Sequence, residues 1–134
     1  MSEAWADRRA PSLREFDLLA RDAYQSLPEA FRALCGDVII HVADFAEDEI
    51  LDGMNIDDPF ELTGLYEGID LTSRSLDDTM AGPNHVHLYR QPLLAEWIDN
   101  GDVTLGELVR HVLVHEIGHH FGLSDADMER IERS

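Results

Sequence analysis

The sequence contains no lysine, one cysteine and no long apolar run, and each absence excludes a class of protein. No stretch approaches the roughly 20 apolar residues that span a bilayer. Residues 1–12 lack the apolar segment of a secretory signal. Cys35 alone cannot form an internal disulfide, so nothing indicates an oxidising compartment. We therefore expect a cytoplasmic protein.

Positive charge is also scarce. The ten basic residues are all arginine, 28 residues are acidic, and the formal net charge is -18. Phosphate backbones and anionic membranes are bound mainly through Lys and Arg, so this charge disfavours both partners. We expect no nucleic acid and no membrane as partners, and we interpret most of the carboxylates as a solvated surface.

The length of 134 residues favours a single domain, which we assign to residues 1–134 with residues 1–11 as a flexible tail. Periodicity and capping residues predict helices at 12–26, 29–34, 47–53, 92–98, 104–121 and 125–131. Strands are predicted at 38–45 and 86–89, the second entered through a turn at 82–84. The middle is loop-rich, with an apolar island at 62–69. This order of elements predicts an α+β fold.

The most informative stretch begins with the pattern H-E-x-x-H at His115. Residues four apart lie on one face of a helix, so His115 and His119 can converge on one metal ion. Glu116 lies beside that ion, where a general base for a metal-bound water is needed. The pattern predicts Zn²⁺ as the cofactor, His115 and His119 as ligands and Glu116 as the catalytic residue.

A catalytic zinc site needs a third protein ligand, and the candidate is Asp125. Gly122 allows the chain to leave the helix with a positive φ, and the turn can bring Asp125 back towards the ion. A carboxylate is a competent zinc ligand, and one water then completes the tetrahedron.

The helix that carries the motif is expected to be buried, because apolar residues cover most of its circumference. Two histidines and a glutamate on a buried helix need partners, since uncompensated buried polar groups are costly. A metal ion would satisfy them. Surface histidines on an amphipathic helix are the less suitable interpretation.

Residues 115–125 have the form H-E-x-x-H-x-x-G-x-x-D and resemble the extended zinc signature of metzincin-like peptidases. The Asp ending is similar to the snapalysin and Asp-zincin variants. More similar still is a family of minimal, single-domain zincin-like metallopeptidases of bacteria. The similarity to that family extends to Leu65–Gly68, to Leu88–Arg90 and to the acidic helix with residues 127–129.

The resemblance implies an α+β zincin-like fold in which a small mixed sheet packs on a buried active-site helix, with N-terminal helices and a short C-terminal helix. It also implies zinc dependence and hydrolysis of a peptide or protein substrate. Nine residues follow Asp125, which leaves little room for the Met-containing turn of metzincins proper. Gluzincins take a Glu ligand from a separate downstream helix, and Glu129 and Glu132 lie too close in sequence for that layout.

Tyr66 is a candidate transition-state stabiliser, because hydrolysis builds negative charge on the scissile oxygen. Core packing is the alternative interpretation of Tyr66. His111 lies four residues before His115 and is either a structural residue, a partner of a ligand or an alternative ligand. The remaining histidines are interpreted as structural, namely His41, His85, His87 and His120.

Two other functions stay open beside the peptidase. The ligand spacing also resembles H-x-x-x-H-x-x-G-x-x-H of small bacterial rRNA-maturation endoribonucleases, but Glu116 and the net charge argue against RNA cleavage. A non-catalytic zinc-binding interaction module is the third function. Structural zinc usually has four protein ligands, often including Cys, and Cys35 is distant in sequence.

Overall fold

A computed structural model of the protein describes residues 4–67 and 84–134. Within these ranges it contains six α-helices, three strands and two short 3-10 helices, at Ala4–Asp7 and Pro59–Glu61. The helices are α1 (Leu13–Gln25), α2 (Glu29–Cys35), α3 (Asp48–Gly53), α4 (Arg90–Asn100), α5 (Leu105–His120) and α6 (Asp125–Arg133). The strands are β1 (Val38–Ala43), β2 (Gly64–Glu67) and β3 (Asn84–Tyr89). Residues 68–69 of the predicted apolar island, residues 82–83 of the predicted turn and residues 1–3 lie outside the described residues.

The three strands form a mixed sheet in the order β1-β3-β2. β1 runs parallel to β3, with Val38 opposite Asn84, and β2 runs antiparallel to β3, with Gly64 opposite Leu88. The parallel pair needs a crossover connection, which is the chain between β1 and β3. The sheet and the helices confirm the predicted α+β class. β2 is too short and too poor in β-branched residues to be predicted as more than part of an apolar island.

One face of the sheet packs against α1 and α5 and forms the main core. Ile40, Val86 and Leu88 point into this core from β1 and β3. The middle of α5 is buried there as predicted, through Leu108, Val109, Val112, Leu113, Val114 and Ile117. A smaller cluster around Tyr89 packs separately from the main core, with Ala46, Leu51 and Leu62. No helix in the described part of the chain is long and apolar enough to cross a bilayer.

Serine caps begin two of the helices and explain their positions. Ser12 forms a reciprocal capping box with Glu15 at the start of α1. Ser124 forms the same arrangement with Asp127 at the start of α6. Each box satisfies backbone N–H groups that the first helical turn leaves without a partner. Both caps were predictable from the sequence because they depend on residues only three positions apart.

The end of α5 reverses the chain at Gly122, whose φ of 72° favours glycine. The Gly122 amide donates to the carbonyl of His119 at 3.1 Å, and the Leu123 amide donates to the carbonyl of Gly118 at 2.9 Å. This pair of bonds is the Schellman arrangement, which satisfies the free carbonyls at a helix end. The chain therefore turns at once into α6, which packs back against α5.

Met128 of α6 lies directly on Gly118 of α5 and is fully buried. A Cβ atom at position 118 would stand 2.5 Å from Met128 Sδ and 2.9 Å from Met128 Cγ. Gly118 is unfavourable in a helix by roughly 1 kcal/mol relative to Ala. The close approach of the two helices explains why glycine occupies this position.

Gly118→Ala should destabilise the protein by about 1 kcal/mol, because an overpacking cost of roughly 1–3 kcal/mol exceeds the gain in helix propensity. In a Met128→Ala background the clash is gone, so the same substitution should stabilise the protein. Urea unfolding of the four proteins in this double-mutant cycle measures the effect. A Gly118→Ala effect of the same sign in both backgrounds would contradict the packing explanation.

Candidate metal centre

The predicted ligands His115 and His119 lie one turn apart near the end of α5. Their ring centroids are 5.7 Å apart and the rings are nearly perpendicular. His115 is partly buried, whereas His119 is exposed to solvent. The helix thus places the two imidazoles side by side, as the four-residue spacing predicts.

Asp125 is the first residue of α6, directly after the chain reversal, and it is exposed. Two imidazoles and one carboxylate are a suitable donor set for zinc. The donor atoms of His115, His119 and Asp125 do not all lie within 4.8 Å of one another. The turn therefore brings Asp125 to the same end of α5 without bringing the three donor atoms together.

Glu116 points between α5 and the sheet, beside Gly64 at the start of β2. A Cβ atom built on Gly64 would stand 3.5 Å from Glu116 Cγ, 3.0 Å from Val112 Cγ1 and 3.2 Å from the His87 carbonyl oxygen. Burial raises the pKa of the Glu116 carboxyl above its ordinary value, and the nearby His119 partly opposes this shift. A carboxylate with a raised pKa is better matched to proton transfer near neutral pH than an exposed one.

Glu132, near the end of α6, lies beside His111 and His115 of α5. This contact was not predicted from the sequence. The Glu132 Oε1 atom lies 3.0 Å from His115 Nε2 and 2.8 Å from His111 Nδ1. The rings of His111 and His115 are stacked at a tilt, with centroids 4.0 Å apart. Glu132 reaches His115 because α6 folds back along α5, and it groups with His111 and His115 rather than with His119.

Arg110 of α5 holds the end of α6 in this position. Its guanidinium donates to the backbone carbonyl groups of Ile131, Glu132 and Ser134. Such carbonyl groups have no partner within the helix, and a cation at this end also interacts favourably with the helix dipole. Arg110 is a residue that sequence reasoning missed, since its partners lie in a different helix.

His115 is held towards its neutral form. Burial lowers the pKa of its imidazole, and the neighbouring His111 lowers it further, while the Glu132 carboxylate acts in the opposite direction. A neutral imidazole has a lone pair available for a metal ion. The environment of His115 therefore favours the form that binds metal.

Tyr66 lies on β2, two residues beyond Gly64. Its ring packs against His120 and Phe121, with centroid distances of 4.3 and 6.1 Å. Its hydroxyl oxygen is buried. The ring contacts are those of the packing interpretation, and the role in transition-state stabilisation stays a prediction.

Three further histidines meet on the sheet face that points away from α5. His41 Nε2 and His85 Nδ1 are 2.8 Å apart, and the His41 ring stacks on His87 at 4.8 Å. His87 Nε2 also lies 3.4 Å from Glu67 Oε1. The pairing of His41 with His87 across β1 and β3 explains this cluster, which the sequence did not reveal.

The chain matches a known protein family over the region that contains the candidate centre. The family model described as zincin-like metallopeptidase matches residues 35–134, which is most of the chain. The matched region contains all three strands, both helices of the candidate centre and the whole motif from His115 to Asp125. No curated protein matches the chain.

Gly64→Ala should lower the free energy of unfolding by roughly 1–3 kcal/mol, because the new methyl group meets Val112 and a backbone oxygen of β3. Gly53→Ala is the matched control, since a Cβ atom there has nothing within 4 Å. The control should be neutral or stabilising by up to about 1 kcal/mol. Equal urea midpoints for the two variants would show that β2 and α5 are not in close contact at Gly64.

Proposed function

The chain belongs to the zincin-like metallopeptidase family, and we propose that it hydrolyses peptide bonds with zinc held by His115, His119 and Asp125. Membership of the family suggests a peptidase-type function and implies a metal ion, typically zinc. The observation that carries the proposal is the position of Glu116. Its side chain is partly buried against Gly64 of β2, and it directly follows His115 in the sequence.

Zinc, when bound, supplies Lewis acidity towards a carbonyl oxygen and acidifies a water molecule. The chain supplies the proton transfers. Glu116 accepts a proton from water at its carboxylate oxygen and passes it to the leaving amine. Its partial burial between α5 and β2 restricts the side chain and raises its pKa, and both effects suit a general base.

The substrate would be an extended peptide paired with β2. One side of β2 is bonded to β3, and no other strand in the described residues pairs with it. Addition of a strand at such an edge satisfies the backbone groups of a peptide. Because β2 also packs against α5, a peptide on this edge would pass close to Glu116.

Tyr66, on the same strand, is the proposed stabiliser of negative charge on the scissile oxygen.

The choice of a peptide rather than RNA as substrate rests on Glu116 and on the net charge of -18. A cytoplasmic location stays a prediction from composition.

Glu116→Gln keeps the size of the side chain and removes the proton acceptor. We expect cleavage of a mixed peptide library to fall by roughly 10²–10⁴-fold at equal zinc content. Glu107→Gln is the matched control, because it makes the same change in the exposed first turn of α5 and should keep the activity. Mass spectrometry of the products, with zinc measured in each preparation, gives the result.

Unchanged cleavage by the Glu116→Gln protein would refute its role as the base. If neither protein cleaves peptides while both hold zinc, the binding-module function replaces the peptidase. Cleavage of RNA instead would favour the endoribonuclease-like function.

In a Glu132→Gln background, which removes the carboxylate beside His115, Asp125→Ala should weaken zinc binding by at least about tenfold. Loss of a direct ligand costs no less than loss of a group that only orients a ligand. Asp48→Ala is the matched control, because Asp48 is also the exposed first residue of a helix. A zinc competition titration with a chromogenic chelator compares the two variants. Equal zinc affinities would remove Asp125 from the ligand set.

A further inference from the structure

A second group of donor atoms converges beside the proposed centre. The donor atoms of His111, His115 and Glu132 all lie within 4.8 Å of one another, and no other such group of three occurs among residues 4–67 and 84–134. Glu132 Oε1 lies at the middle, 2.8 Å from His111 Nδ1 and 3.0 Å from His115 Nε2. Two imidazoles and a carboxylate are again a donor set that suits zinc and similar ions.

The spacing of these groups is close to that of ligands around one ion. Glu132 Oε1 is buried and lies within 3.0 Å of a ring nitrogen of each histidine, as an ion pair also would without a metal ion. With bonds of roughly 2.0–2.1 Å, the donors around tetrahedral zinc lie about 3.3 Å apart. The observed separations are slightly shorter, and a small outward movement admits an ion.

The fold holds the three residues in place. His111 and His115 are one turn apart on α5, and α6 is fixed against α5 by Met128 over Gly118 and by Arg110 at its end. The group also has access to solvent. His111 and Glu132 line a cavity of about 550 Å³ between the ends of α4 and α6 and the first half of α5.

We propose that His111, His115 and Glu132 form a second binding position for a divalent transition-metal ion. This position shares His115 with the proposed catalytic centre, whose other ligands are His119 and Asp125. An ion at the second position uses His115 Nε2, so the proposed catalytic set cannot use the same ring nitrogen at the same time. The second position would hold the ion in a resting form, bound to Glu132 instead of His119 and Asp125.

The test uses cobalt(II) as the probe and needs no turnover, so its result is independent of peptide hydrolysis. His119→Ala and Asp125→Ala together remove two ligands of the proposed centre and leave the second position intact. We expect this double variant to bind one cobalt ion, with visible absorption bands that report nitrogen and oxygen ligands. Adding Glu132→Gln should weaken that binding by at least about tenfold.

Glu129→Gln in the same double variant is the matched control. Glu129 lies one turn before Glu132 on α6, lines the same cavity and pairs with Arg133. Cobalt binding that survives Glu129→Gln and fails with Glu132→Gln supports the second position. Equal binding by the two proteins, or no binding by the folded double variant, would overturn it.

If the double variant does not fold, the proposal can be tested in the unmutated protein by measuring chemical modification of His111. Diethyl pyrocarbonate modifies exposed histidines, and the side chain of His111 is 51% exposed. Equimolar zinc should slow the modification of His111 at least severalfold and leave His41, an exposed histidine on the sheet, unaffected. Modification of His111 at the same rate with and without zinc would contradict the proposal.

Discussion

The packing of Met128 on Gly118 is the contact on which the arrangement of α5 and α6 around the candidate metal centre depends. It needs a helix position without a side chain, and it allows α6 to lie close enough to α5 for Glu132 to reach His111 and His115. The reversal at Gly122 aims α6 in the right direction, and the capping box at Ser124 begins it. Without the close contact, the Glu132 carboxylate would face solvent, where an ion pair contributes little to stability.

Gly64 of β2 allows a second close contact with α5, as Gly118 does for α6. Gly64 lets β2 approach the helix, and the space that its side chain would fill is bordered by Glu116 and Val112. Glu116, the proposed general base, is therefore partly buried between α5 and β2. Burial raises the pKa of its carboxyl, and in the proposed function an extended substrate would pair with the side of β2 that no described strand occupies. One structural feature thus supports both the chemistry and the proposed mode of substrate binding.

Shared use of His115 would link the two proposed metal positions. The proposed catalytic set takes its carboxylate from Asp125 at the start of α6, whereas the second set takes it from Glu132 near the end of α6. Both contain two imidazoles and one carboxylate, so donor chemistry alone does not select between them. The difference is geometric, since Glu132 is supported by Arg110 and the buried Met128, while His119 and Asp125 are exposed. A substrate on β2 would contact Glu116 and so favour the catalytic position.

The α+β class, the family resemblance and the positions of the helices were predictable from the sequence alone, and the structure and the family model confirm them. These features depend on residues three or four positions apart, so short-range spacing is enough to find them. Tertiary packing was needed to reveal the antiparallel pairing of β2 with β3, the three histidines on the sheet and the position of Glu132 beside His115. Each of these joins residues distant in the sequence, and their meeting depends on the packing of whole elements, which no local pattern records.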